Sequence, residues 1–157
     1  MQAKEGVVER LNAILTNELT AINQYFLHAE MCRQWGYERL YHKLRDFSID
    51  EMKDAQQLIA HILYLEGLPN LQRLGTVRVG ENAPEDIRLD ADLERNAVSA
   101  LAEAIGHCAQ VGDYTTRGML EEMIAGEEQQ LDWLETQQQT ISQVGLENYL
   151  AQQIHDA

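Results

Sequence analysis

The stretch Ser48-Ile49-Asp50-Glu51-Met52-Lys53-Asp54 lies in the middle of a long helical pattern. On either side of it, Leu40, Leu44, Phe47, Leu58, Ile62 and Leu65 recur at the intervals of one helix face and predict a helix over 38–65. Glu51 and Asp54 fall on that same face, between Phe47 and Leu58. A carboxylate is costly to bury unless it is paired or bound to a cation. Two of them one turn apart on a core-facing stripe need a partner, and the rest of the chain indicates which kind.

Toward the N-terminus, the stripe Leu11, Leu15, Glu18, Ile22, Tyr25 and Ala29 predicts a first helix over 4–33, stopped at Trp35-Gly36. Toward the C-terminus, Glu66-Gly67-Leu68-Pro69-Asn70 closes the second helix. Residues 67–82 form the one long connection, with Gly75, Val77, Val79 and Gly80 suggesting extended chain. Such a length lets the next helix begin at the far end of a bundle. A capping Asn82, an early Pro84 and the acid Glu85 open a third helix, whose stripe is Ile87, Ala91, Glu94, Val98, Leu101, Ile105 and Cys108. Gly112-Asp113 gives a short turn, so a fourth helix packs antiparallel to the third, with the stripe Leu120, Met123, Glu127, Gln130, Leu134 and Ile141. Gly145 ends it, and a short fifth helix follows over 146–154. The expected fold is all-α: a single domain over 1–157, a four-helix bundle with one long crossover and a short C-terminal fifth helix.

Composition agrees. The 157 residues are 45% hydrophobic, enough for a full core in one domain. No apolar run approaches the roughly 20 residues that cross a membrane. The opening Met1-Gln2-Ala3-Lys4-Glu5-Gly6 lacks the basic-then-apolar pattern of a secretory leader, which predicts a cytoplasmic protein. A net charge of −14 argues against nucleic acid as a partner and favours cations. Cys32 and Cys108 are too few and too far apart for a disulfide framework or a thiolate metal site.

Each long helix thus places a glutamate at mid-stripe: Glu18, Glu51, Glu94 and Glu127. The second and fourth add a polar residue three positions on, Asp54 and Gln130, and such positions share a face. The layout is close to the carboxylate two-metal site of four-helix bundles, which takes one Glu from each of two helices and Glu-x-x-His from each of the others. Four buried glutamates carry four negative charges, which two divalent cations cancel. Both histidine positions of that pattern are changed here, to Asp54 and Gln130. Neither supplies an imidazole, the nitrogen ligand that suits iron, so the centre is expected to be impaired. Tyr25, on the stripe near the acids, reads as core packing or as a hydrogen-bond or electron donor to the site. His28, His42, His61, His107 and His155 miss the ligand positions and read as surface or internally satisfied residues; Asp46 and Asp50 read as a solvated helix face.

The chain resembles the bacterioferritins, the haem-containing ferritins, over nearly its whole length. The resemblance rests on Leu19-Thr20-Ala21-Ile22-Asn23-Gln24-Tyr25-Phe26-Leu27-His28-Ala29, on Ser48 to Lys53, and on Leu65-Glu66-Gly67-Leu68-Pro69-Asn70-Leu71-Gln72. Asp132-Trp133-Leu134-Glu135-Thr136-Gln137 and Gly145-Leu146-Glu147-Asn148-Tyr149-Leu150 extend it. It implies a ferritin-like bundle, a hollow shell of twenty-four subunits storing ferric mineral, and haem b at each two-fold interface, held by one Met from each subunit. That Met resembles Met52, which from spacing alone reads as an interface packing residue as readily as a ligand. Ile22, Asn23 and Phe26 would line the same interface. An acid at position 50 corresponds in the family to a cavity-side iron site.

Two functions follow. In the first, ferrous iron binds at Glu18, Glu51, Glu94 and Glu127 and is oxidised by dioxygen or peroxide. Glu51 and Glu127 bridge, Glu18 and Glu94 are terminal ligands, and Asp54 and Gln130 stand where imidazoles are usual. In the second, the chain is a non-catalytic haem-bearing subunit of a mixed shell, partnered by an active one, with a ferredoxin-type reductant for iron release. A homo-oligomer fits the first, a second bacterioferritin subunit the second.

Overall fold

The computed structural model describes residues 1–155 and contains five helices: α1 Val7–Gln34, α2 Glu38–Tyr64, α3 Ala83–Val111, α4 Tyr114–Val144 and α5 Leu146–Gln153. No strand occurs among the described residues, and no helix is long and apolar enough to cross a membrane. The bundle and its short fifth helix match the sequence expectation, with ends displaced by a few residues.

The ends follow from local chemistry. Asn82 Oδ1 accepts from the Glu85 amide at 2.9 Å to cap α3, and Asp113 Oδ1 accepts from the Thr116 amide at 3.0 Å to cap α4. Between these helices Gly112 sits at φ 77°, a left-handed conformation that glycine reaches without a Cβ penalty. The turn is tight, so α3 and α4 form one antiparallel hairpin as α1 and α2 form another.

The crossover explains how the hairpins are arranged. It is not a strand: a single pass of chain has no ladder partner, and α1 side chains take its backbone groups instead. Asn12 bonds Leu68 O (3.1 Å) and the Asn70 amide (2.8 Å), Thr20 Oγ1 accepts from the Gly75 amide (2.8 Å), and Gln24 Oε1 accepts from the Arg78 amide (3.0 Å). The Gly80 amide reaches His28 Nε2 at 3.3 Å. Residues 12, 20, 24 and 28 are spaced by four or eight, one face of α1. The connection therefore climbs alongside α1 and delivers α3 to the end where α2 began, so α2 and α3 run in one direction and α1 and α4 in the other.

Apolar side chains form two clusters. One holds Leu11, Leu15, Leu58, Ile62, Leu101, Leu120 and Met123; the other holds Tyr25, Leu40, Leu44, Phe47, Ile87, Leu134 and Tyr149 of α5. In sequence, each of the four mid-stripe glutamates falls between the residues its helix gives to the two clusters.

Candidate metal centre

All four glutamates are buried, each 1% exposed. The ion pairs of the described residues are formed elsewhere, so no arginine or lysine neutralises them. Glu18 Oε2, Glu94 Oε2 and both oxygens of Glu127 are buried without any hydrogen-bond partner. Such atoms are expensive to leave bare, and a cation is the partner that their number and charge suit.

The acids are not equivalent. Glu18, Glu51, Asp54 and Glu127 each bring one carboxylate oxygen to within 4.8 Å of the others. Glu94, although its carboxyl lies within hydrogen-bonding reach of Glu127, is not among these converging oxygens. Its Oε1 accepts from the Tyr25 hydroxyl at 2.5 Å, while Tyr25 is fully buried and packs edge-on against Phe47. In the orientation that satisfies both atoms of its amide, Gln130 donates to Glu94 Oε1 at 3.0 Å and to Glu51 Oε1 at 2.8 Å. Asp54, half-buried, lies at the foot of an open cleft between α2 and α4 with Asp50, Lys53, Gly126 and Gln130. The cleft brings solvent to Asp54, the least buried acid of the group.

Electrostatics follow from burial and crowding. Desolvation raises Glu18, Glu51 and Glu94 well above the ordinary carboxylate range. Neighbouring charges add to this: Glu127 and Asp54 on Glu18, Glu18 on Glu51, and Glu127 on Glu94, where the Tyr25 hydroxyl pulls the other way. Asp54 is pushed up to about 7 by burial and then by Glu127. The same field, after burial, raises the Tyr25 phenol, which stays protonated and therefore a donor.

The ferritin-like domain family matches residues 8–144. The chain is 43% identical to the bacterioferritin of Mycobacterium leprae over 152 residues, 97% of this chain and 96% of that one. The chain belongs to the bacterioferritins. It is 41% identical to that of Mycobacterium tuberculosis over the same coverage. To that of Rhodobacter capsulatus it is 40% identical over 149 residues, 95% and 92% of the two chains.

The residues expected at a haem interface lie on the α1–α2 hairpin of this bacterioferritin-family fold. Met52 is 56% exposed and Phe26 57%, both high for apolar side chains. Asn23 is exposed, and Ile22 is half-buried against the core. Asp46 and Asp50 are exposed, as a solvated face requires. Cys32 and Cys108 are free and buried.

A second buried polar cluster went unnoticed in the sequence. His28, fully buried, places Nδ1 2.8 Å from Asp90 Oδ1 and Nε2 3.3 Å from Asp86 Oδ1, and both aspartates are fully buried too. Gln24 donates to Asp90 at 3.0 Å. Burial alone would lower the His28 pKa; the hydrogen bond and charge of Asp90, then the charge of Asp86, outweigh it and hold the ring above its usual value. Burial pushes Asp86 up to about 7 against the pull of His28. The hydrogen bond from Nδ1 to Asp90 and the approach of Nε2 to Asp86 make this an electrostatic pin where α1, α3 and the crossover meet. The signal lay in the spacings Gln24–His28 and Asp86–Asp90–Glu94, each four residues and so one face.

Proposed function

We propose that the chain is an iron-storage subunit of a closed shell of twenty-four copies. Ferrous iron, the substrate, enters by the cleft over Asp54 and binds among Glu18, Glu51, Glu94 and Glu127. There it is oxidised by dioxygen or peroxide, and ferric iron passes to the interior. The observation that carries this reading is one buried glutamate per helix, three of them with bare oxygens and none with a basic partner. Glu51 and Glu127, from different hairpins, would bridge; Glu18 and Glu94 would be terminal ligands, with Tyr25 holding Glu94 by its hydroxyl. Asp54 and Gln130 supply no imidazole, so oxidation is slow relative to a histidine-bearing centre.

Haem b fits the same subunit. Met52 follows Glu51 and so points about 100° away from the acids, and its thioether is free at the surface beside exposed apolar chain. Paired with its twin across a two-fold axis, it would hold haem iron between two soft sulfurs, which favour the reduced metal. Haem there supplies an electron path for releasing stored iron to a ferredoxin-type reductant.

Gln130 donating into Glu94 and Glu51 favours a second reading, a haem-bearing subunit with little oxidation activity of its own, mixed with an active bacterioferritin subunit. Stopped-flow oxidation of ferrous iron by the purified homo-oligomer, with iron retained per shell measured afterwards, separates the two. Oxidation and retention support the first reading; retention only after mixing with an active subunit supports the second; neither refutes both.

A further inference from the structure

We propose that the centre takes one hard cation per subunit rather than two. Glu18, Glu51, Asp54 and Glu127 hold it, and the Gln130 amide closes the second position. The proposal rests on reading the centre as the place where iron enters, and deepens it.

The two halves of the centre differ in what fills them. On one side, four oxygens from four residues converge within 4.8 Å. Glu18 and both oxygens of Glu127 contribute buried atoms with no hydrogen-bond partner. On the other side, Glu94 and Glu51 already have a partner. The Gln130 amide lies between them and, in the orientation that satisfies both of its atoms, gives one N–H to each, at 3.0 and 2.8 Å, while the Tyr25 hydroxyl donates to the same oxygen of Glu94. A cation placed between Glu94 and Glu51 would face those N–H groups and would have to displace them. A neutral double donor thus does for this pair what a metal ion would otherwise do.

The donor set decides the class of ion. Four carboxylate oxygens with no nitrogen or sulfur suit hard divalent cations such as manganese, magnesium and calcium, and do not select for zinc or copper. Asp54 lines the open cleft, so one ligand of the ion is reached directly from the surface.

The test uses the assembled shell, stripped of metal and titrated with Mn²⁺. Bound ion is counted by equilibrium dialysis and its environment read by electron paramagnetic resonance. The expected result is one tightly held Mn²⁺ per subunit with the hyperfine spectrum of an isolated ion. Asp54→Ala should weaken it roughly tenfold or more, about 1.4 kcal/mol. Gln130→His should raise the count to two and give the spectrum of a spin-coupled pair. Two ions per wild-type subunit, no bound ion, or a Gln130→His variant still at one overturns the proposal. Iron retention on the same preparation reports the storage function separately. A shell that holds one Mn²⁺ but retains no iron refutes storage and keeps the single-ion site; one that holds two and retains iron does the reverse.

Discussion

Replacing His28 with Leu should be among the most destabilising single changes in this subunit. Among the described residues the ring is the one basic group set against two fully buried aspartates, 2.8 Å from Asp90 and 3.3 Å from Asp86. Leucine fills similar space but removes the charge beside Asp86 and leaves Asp90 with Gln24. Removing one member of a buried ion pair costs about 3–5 kcal/mol. For a chain of this size each kcal/mol moves the melting temperature by about 2–4 °C, so the expected drop is about 6–20 °C. The assay is thermal denaturation followed by circular dichroism at fixed protein concentration, because assembly adds to apparent stability. Amide exchange at Arg78 and Gly80 should quicken in the variant, since both are tied to the same cluster. The pH dependence has a definite sign. His28 and Asp86 both bind protons more tightly when folded than the unfolded values of about 6.5 and 3.9. Their stabilising contribution is therefore present below those values. The Asp86 part is lost as pH rises toward about 7, and the His28 part as pH passes its raised folded value. The wild type should lose stability over that range, and His28→Leu should lack the later part of the loss. A melting temperature within about 2 °C of wild type would refute the electrostatic pin. Leucine at all three positions should recover much of the loss, because an apolar replacement of a whole buried pair is often neutral.

The double change Asp54→His with Gln130→His should speed initial ferrous oxidation about tenfold or more, roughly 1.4 kcal/mol in the barrier; equal rates would show that the missing imidazoles do not limit the natural protein. Met52→Leu should abolish the low-spin, two-thioether haem absorption while leaving the shell intact by size-exclusion chromatography, and haem retained after that change rules out Met52 as the ligand. Asn82→Ala removes the cap of α3 and should lower stability by about 1 kcal/mol, read as a melting shift of about 2–4 °C; no shift would mean the cap is replaced by solvent.

What could be read from the sequence was whatever repeats along a single helix. The four stripes, their glutamates at mid-height and the break at Gly112-Asp113 depend on spacing within one element, and the structure places them as spacing requires. The crossover was legible only as extended chain, because its partners are side chains of α1 more than 50 residues earlier in the sequence. Asp86 and Asp90 were overlooked for a related reason. They flank Ile87 and Ala91 and so stand one residue off the stripe that faces the core, on a side whose character depends on the crossover lying over it. His28 reads as an internally satisfied residue, but its partners come from α3. The inequality of the two halves of the acid cluster could not be read either. It depends on which way the Gln130 amide turns, and that is decided by Glu94 and Glu51 from two other helices.

The position of the acids between the two hairpins has a mechanical consequence. Glu18 and Glu51 belong to one hairpin, Glu94 and Glu127 to the other, so the apolar grip between hairpins is interrupted at mid-height by a layer of acids. Without a cation burial favours the protonated form of those acids, and the layer lacks the apolar contacts found above and below it. An ion there acts as a rivet through both hairpins, and at a hundredfold excess over its dissociation constant it adds about 2.7 kcal/mol to their cohesion. Each ion on its way to the store would then tighten the wall it crosses and leave it looser behind.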